Sequence, residues 1–172
     1  MTEMDAPPAL ACDGPHAFDF FAGTWKAENR KRAKPLDPDD SEWVAFDGEI
    51  VSKPILHGMG STDTIRIPDM PGRGDFEGFT LRLLDPDTGL WRIWWASTVS
   101  KGQLDTPVVG RFHDERNGTF ECDDVIDNLP VTVRYTWRIE SATSVHWEQA
   151  FSFDEGANWD TNWITDATRI TS

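Results

Sequence analysis

Three groups of side chains in this sequence have the chemistry to act on a bound molecule. Glu148 and Gln149 stand side by side in an apolar stretch, and whichever of them faces an interior decides what that interior can do. A carboxyl desolvated there has a raised pKa and serves as a general acid or base, whereas an amide only orients a ligand. Asp123 and Asp124 pose the same question. A carboxylate pair can share a proton, but neighbours on a strand point to opposite faces, so one at most, taken as Asp124, enters a lumen. Two solvated aspartates are the other reading. The histidines His16, His57, His113 and His146 show no His-x-His or His-x3-His spacing and no cysteine pairing, so no metal site is expected. They read as independent surface or strand-end residues. If one of them works, it is His57, whose loop Leu56-His-Gly-Met-Gly60 lets a ligand approach closely. His146 is expected outside, opposite Arg138.

Alternation and turn punctuation position these groups. After a short apolar turn at His16–Phe21, no window sustains a helical period, and the signals are those of an all-β chain. Three turns share one form: Asp85-Pro-Asp-Thr-Gly89, Asp114-Glu-Arg-Asn-Gly118 and Asp154-Glu-Gly-Ala-Asn158. Each opens with a carboxylate that can bond the backbone two residues on, and closes with a residue tolerant of left-handed backbone. Taken as five-residue hairpin loops, they set Leu83 against Trp91, Leu81 against Ile93 and Phe79 against Trp95, with Thr80 and Arg82 on the opposite face. They also set Phe112 against Phe120 and Arg111 against Glu121. A turn at Ser141–Thr143 pairs Trp137 with Trp147, Tyr135 with Gln149 and Val133 with Phe151. The next hairpin pairs Phe151 with Thr161 and Gln149 with Trp163, which puts Arg169 on the inner face.

With strands near 24–33, 42–55 and 60–67, the chain makes about ten strands in an up-and-down meander. A meander of this length hides its edges by closing into an antiparallel β-barrel. An open sheet or two-sheet sandwich is the alternative. Residues 1–15 read as a flexible lead and residues 16–172 as one barrel domain.

Composition narrows the partners. A net charge of −14 over 172 residues argues against nucleic acid and anionic membrane. No stretch approaches a membrane span, and Met1–Leu10, with Glu3, Asp5 and two prolines, lacks the marks of a signal peptide. A cytoplasmic protein is expected. Cys12 and Cys122 do not form a disulfide framework. Nine Trp and ten Phe beside one Tyr supply large flat side chains for a core or a pocket. The inward set nominates Phe79, Trp91, Trp95, Tyr135, Trp137, Trp147, Gln149 and Trp163 as ligand-binding residues, with Asn29 as a further polar anchor. The function expected is carriage or sensing of a small hydrophobic or aromatic molecule. The alternative is a cofactor-independent isomerase, cyclase or hydrolase working through Glu148, Asp124 or His57. No cofactor is expected, haem being a third reading, and a homodimer stays open.

Gly23-Thr24-Trp25 after a short turn, with Arg169 on the last strand, resembles the calycin superfamily of lipocalins, fatty-acid-binding proteins and nitrobindin-like barrels. The string Phe18-Asp-Phe-Phe-Ala-Gly-Thr-Trp25, the turn Asp85-Pro-x-Thr-Gly89 and the run Trp147-Glu-Gln-Ala-Phe-Ser152 are similar to bacterial lipocalin-like proteins of undetermined function. The resemblance implies a barrel with a ligand cavity, plugged at one end by Trp25 with Arg169 across its ring. Nitrobindin-like relatives hold haem through a histidine, and no position here matches such a motif. Ser152-Phe-Asp-Glu-Gly-Ala-Asn-Trp159 also resembles the Asp-box of sialidases, but one imperfect copy is a turn and carries no glycosidase inference. If Trp25 marks the closed end, the mouth lies by the 34–40 loop. The basic residues Arg30, Lys31, Arg32 and Lys34 then rim it, beyond Lys26, and suggest an acidic aromatic ligand.

Overall fold

Alternation along the first strand shows how the sequence builds the wall. Trp25, Ala27 and Asn29 are buried, while Lys26, Glu28 and Arg30 between them are exposed. In the computed structural model, which describes residues 6–171, ten strands build the wall. They are β1 (Gly23–Arg32), β2 (Trp43–Ile55), β3 (Gly60–Met70), β4 (Gly74–Asp85), β5 (Leu90–Ser97), β6 (Val108–Phe112), β7 (Asn117–Ile126), β8 (Leu129–Ser141), β9 (Ser144–Ser152) and β10 (Asp160–Thr171). Each pairs antiparallel with its sequence neighbour, and β1 pairs with β10, so the sheet is a closed barrel without edges. The only helical pieces among the described residues are the 3-10 turns Asp19–Phe21 and Leu56–Gly58.

Strand direction gives the barrel two ends. The short connections after β2, β4, β6 and β8 gather at one, and the chain before β1 closes it. The His16 amide donates to Gly58 O (2.8 Å), and Phe18 sits at the centre of the closure, with its ring 5.0 Å from Trp91, 5.2 Å from Phe112 and 5.6 Å from Trp137. Of the expected lead, residues 1–5 lie outside the described residues. Further along it Ala11 is buried and donates its amide to Glu115 O.

Trp25 is fully buried beside this plug, stacked on Phe21 with 5.0 Å between centroids, and its Nε1 donates to Phe21 O. The Arg169 guanidinium lies 4.3 Å over the Trp25 ring and donates to Ala142 O, Phe20 O and Ala22 O. One side chain thus ties the last strand, the β8–β9 turn and the plug together.

Register departs from the sequence reading in one place that matters. Between β4 and β5 the connection has four residues, because Asp85 pairs with Leu90, so Leu84 faces Trp91, Arg82 faces Ile93 and Thr80 faces Trp95. The slip of one residue reverses the faces of β4. Phe79, Leu81 and Leu83 point outward, and Thr80, Arg82 and Leu84 point inward. Between β6 and β7 the pairing is shifted by two, Phe112 with Gly118 and Gly110 with Phe120, which preserves the faces. Both phenylalanines are buried, and Val109 rather than Arg111 opposes Glu121. The β8–β9 pairs are those expected. Gln149 pairs with Trp163, but a bulge between Thr161 and Trp163 pairs Phe151 with Asp160 and buries Asn162.

Candidate functional site

The half of the barrel away from the plug is not filled by its side chains. It encloses a cavity of about 380 Å³. Phe21, Trp137 and the Arg82–Asp63 pair form its floor. Four aromatic residues from four strands form one wall: Trp95 (β5), Tyr135 (β8), Trp147 (β9) and Trp163 (β10). Lys31, Leu36, Asp105, Asp124 and Asp127 stand around the mouth, on segments at the open end.

The aromatic rings meet as walls of a corner rather than a stack. Trp163 lies 6.2 Å from both Trp95 and Trp147, at 77° and 82°, and Tyr135 lies 5.0 Å from Trp147 at 70°. Trp163 and Trp95 are held by their neighbours. Asn29 Oδ1 accepts from Trp163 Nε1 (3.1 Å) and Thr165 Oγ1 (2.7 Å), and Gln149 Nε2 donates to Asn162 Oδ1 (2.8 Å) in the bulge. Gly78 makes room for Trp95, whose indole passes 2.0 Å from where a Cβ at that position would stand.

The floor holds a buried ion pair. Arg82 and Asp63 are 3% and 7% exposed, with Nη2 2.6 Å from Oδ2, and Arg82 Nη1 also donates to Ser61 Oγ (3.1 Å). The guanidinium packs between the rings of Phe18 (4.9 Å) and Trp137 (5.2 Å). A charge so enclosed persists only when paired and hydrogen-bonded.

Ionisation at the mouth is perturbed. Burial, and then the nearby Asp124, push the Asp105 carboxyl up from its ordinary value. Burial and the same carboxylates push the Cys122 thiol up to about 12. Burial, then Asp105, raises the Tyr135 phenol. Burial lowers Lys31, helped by Arg73. Because folding raises the Asp105 pKa, its stabilising contribution is present below the ordinary carboxylate value of about 4 and is lost as pH rises through the raised one. Asp105→Asn should therefore gain stability relative to the parent as pH rises through that window, as read by urea unfolding at a series of pH values. A difference independent of pH would contradict the assignment.

Of the residues nominated from sequence, Trp95, Tyr135, Trp137, Trp147, Gln149 and Trp163 line the cavity. Trp91 points inward but is packed against Phe18, below the floor. Phe79 is on the outer face, 37% exposed, because β4 is turned over. Gln149 rather than Glu148 faces in; Glu148 lies outside, 3.3 Å from His146 Nε2. Asp124 reaches the mouth, where its Oδ1 accepts from Thr106 Oγ1 (3.0 Å). His57 is exposed at the closed end, remote from the lumen, in a left-handed conformation (φ 54°). On the outer face Glu140, His146 and Asp166 bring one donor atom each to within 4.8 Å of one another, an arrangement hydrogen bonding accounts for, since His146 Nδ1 is 2.6 Å from Asp166 Oδ1. Among the described residues no histidine lines the lumen, so an imidazole-held haem does not fit it.

Sequence reasoning missed Arg82, Asp63, Asp105 and the inward side of Lys31. Lys31 was within reach, since it shares the parity of Trp25, Ala27 and Asn29 on β1. Asp63 shares the parity of Ile65 and Ser61. No helix among the described residues is long and apolar enough to cross a membrane. No protein-family model matches the chain, and no curated protein matches it in sequence.

Proposed function

We propose that the protein binds a small hydrophobic or aromatic molecule in the barrel lumen, as an intracellular carrier or sensor of the calycin kind. The observation that carries this reading is the unfilled lumen itself. Its volume, about 380 Å³, falls at the small end of the roughly 300–1,000 Å³ of ligand sites. Its wall has the composition of such sites: flat apolar rings, with the polar groups of Tyr135, Gln149 and Thr80 among them and the charged groups kept to floor and mouth. The ligand end is away from Trp25 and Arg169, which belong to the plug.

Catalysis on such a ligand is a second reading, and Asp105 is what favours it. Asp105 is an exposed carboxyl at the rim of a cavity, and one raised by partial desolvation and by Asp124 is suited to proton transfer. Glu148 and His57 have no part in this reading, because neither reaches the lumen.

Three tryptophans line the wall, so their emission reports occupancy. Titration with an uncharged two-ring aromatic such as 2-acetylnaphthalene should quench or shift that emission saturably at micromolar concentrations. An emission spectrum unmoved by such probes across a range of sizes would overturn the binding reading.

A further inference from the structure

We infer that the ligand is an organic cation, with an ammonium-type head seated against Trp163, Trp95 and Trp147. This rests on the lumen being a binding site, and it opposes the acidic ligand that the basic run Arg30–Lys34 suggests. The structure disperses that run. Arg30 and Lys34 are exposed, and Arg32 is spent on Asp160 (3.3 Å) and the outer Trp43 ring. Of the four, Lys31 lines the lumen.

The charges that do line the lumen favour a cation. They are Lys31 and Arg82 against Asp63, Asp105, Asp124 and Asp127, two positive and four negative, for a net of −2. Arg82 and Asp63 neutralise each other at 2.6 Å in the floor, which leaves three carboxylates at the mouth facing Lys31, with Arg73 near that lysine but outside the lumen lining. An entering anion meets that surplus, and an entering cation is drawn by it, within the field of a chain of net charge −14.

The wall has the matching chemistry. Indole faces attract cations within about 6 Å of the ring centroid, and rings meeting at steep angles offer several faces to one head group. The chain already uses one such face, for Lys31 Nζ lies 4.8 Å over the Trp163 ring. That contact marks where an ammonium is accepted. It also names the competitor, because an incoming cation takes the place of a side chain on a flexible stem. Lys31 is half-buried there, with its pKa pulled down by burial, so its own hold on the position is weakened by desolvation.

Three probes of one shape test the assignment on the full chain: benzyltrimethylammonium, its uncharged carbon isostere neopentylbenzene, and phenylacetate as the anion. Calorimetry should give the cation an affinity at least about tenfold above the isostere, the scale of a desolvated cation–π contact, with the anion weakest. Lys31→Met should tighten the cation several-fold, and by more than it changes the isostere, because it removes both the occupant of the position and a like charge. An isostere that binds as tightly as the cation, or an anion that binds best, would overturn the charge assignment while leaving lumen binding intact. No binding of any of the three, together with silent tryptophan emission toward 2-acetylnaphthalene, would remove both.

Discussion

Asp63→Ala lowers the free energy of unfolding by about 3–5 kcal/mol, the cost of leaving a buried charge without its partner. The size follows from where Arg82 sits. Its guanidinium is 3% exposed, pressed between Phe18 and Trp137, and its ionic partner is the Asp63 carboxylate at 2.6 Å. Without that carboxylate, Ser61 Oγ is the other hydrogen-bond acceptor the guanidinium has among the described residues. The pair as a unit need not stabilise the fold, because desolvation opposes its attraction. The double variant Asp63→Leu/Arg82→Met is therefore expected to recover most of the loss. Urea unfolding of the two single variants and the double variant gives the cycle. A loss below about 1 kcal/mol in Asp63→Ala, the scale of an exposed pair, would show that water reaches Arg82.

Trp25→Ala is expected to cost a similar amount, about 3–5 kcal/mol, for a different reason. Here the loss is volume, since a fully buried indole that stacks on Phe21 and bonds its carbonyl is removed from a packed plug. Arg169→Met keeps the indole and its buried area and removes the cation over its face and three hydrogen bonds to carbonyls. Since Arg169 is only part-buried, its carbonyls regain water, and a loss of about 1–2 kcal/mol is expected. Thermal unfolding that ranks Arg169→Met above Trp25→Ala would mean that the tie between ends, not the packed indole, holds the closed end.

These two sites mark the limits of what alternation reveals. Arg169 was legible because a hairpin register and a parity place it on the inner face, whereas Trp25 was legible through what the Gly23-Thr24-Trp25 string resembles. Hairpin register made the β8–β9 pairs legible too, and with them the inward Gln149. The face of β4 was not. Phe79, Leu81 and Leu83 make the more apolar side of that strand, yet the strand turns Thr80, Arg82 and Leu84 inward. Reading apolar as inside fails when a charged residue finds its partner inside, and here the partner lies on β3, across a pairing that none of the Asp-opened turns fixes. The one-residue difference in loop length at Asp85–Leu90 was enough to hide it. The unfilled volume was likewise out of reach, since pattern names the residues that face a lumen without saying how far they fill it.

The account stands on that volume being the place where a ligand sits. Thr80 offers the direct test: it lines the lumen, belongs to no buried hydrogen bond among the described residues, and points in from β4. Thr80→Phe puts a ring into the space without touching the plug. Calorimetric titration of the parent and Thr80→Phe with 2-acetylnaphthalene is predicted to show one saturable site in the parent and none in the variant, with thermal unfolding of the variant unchanged or raised. Saturable binding of equal strength in a folded Thr80→Phe would place the ligand elsewhere and contradict the account.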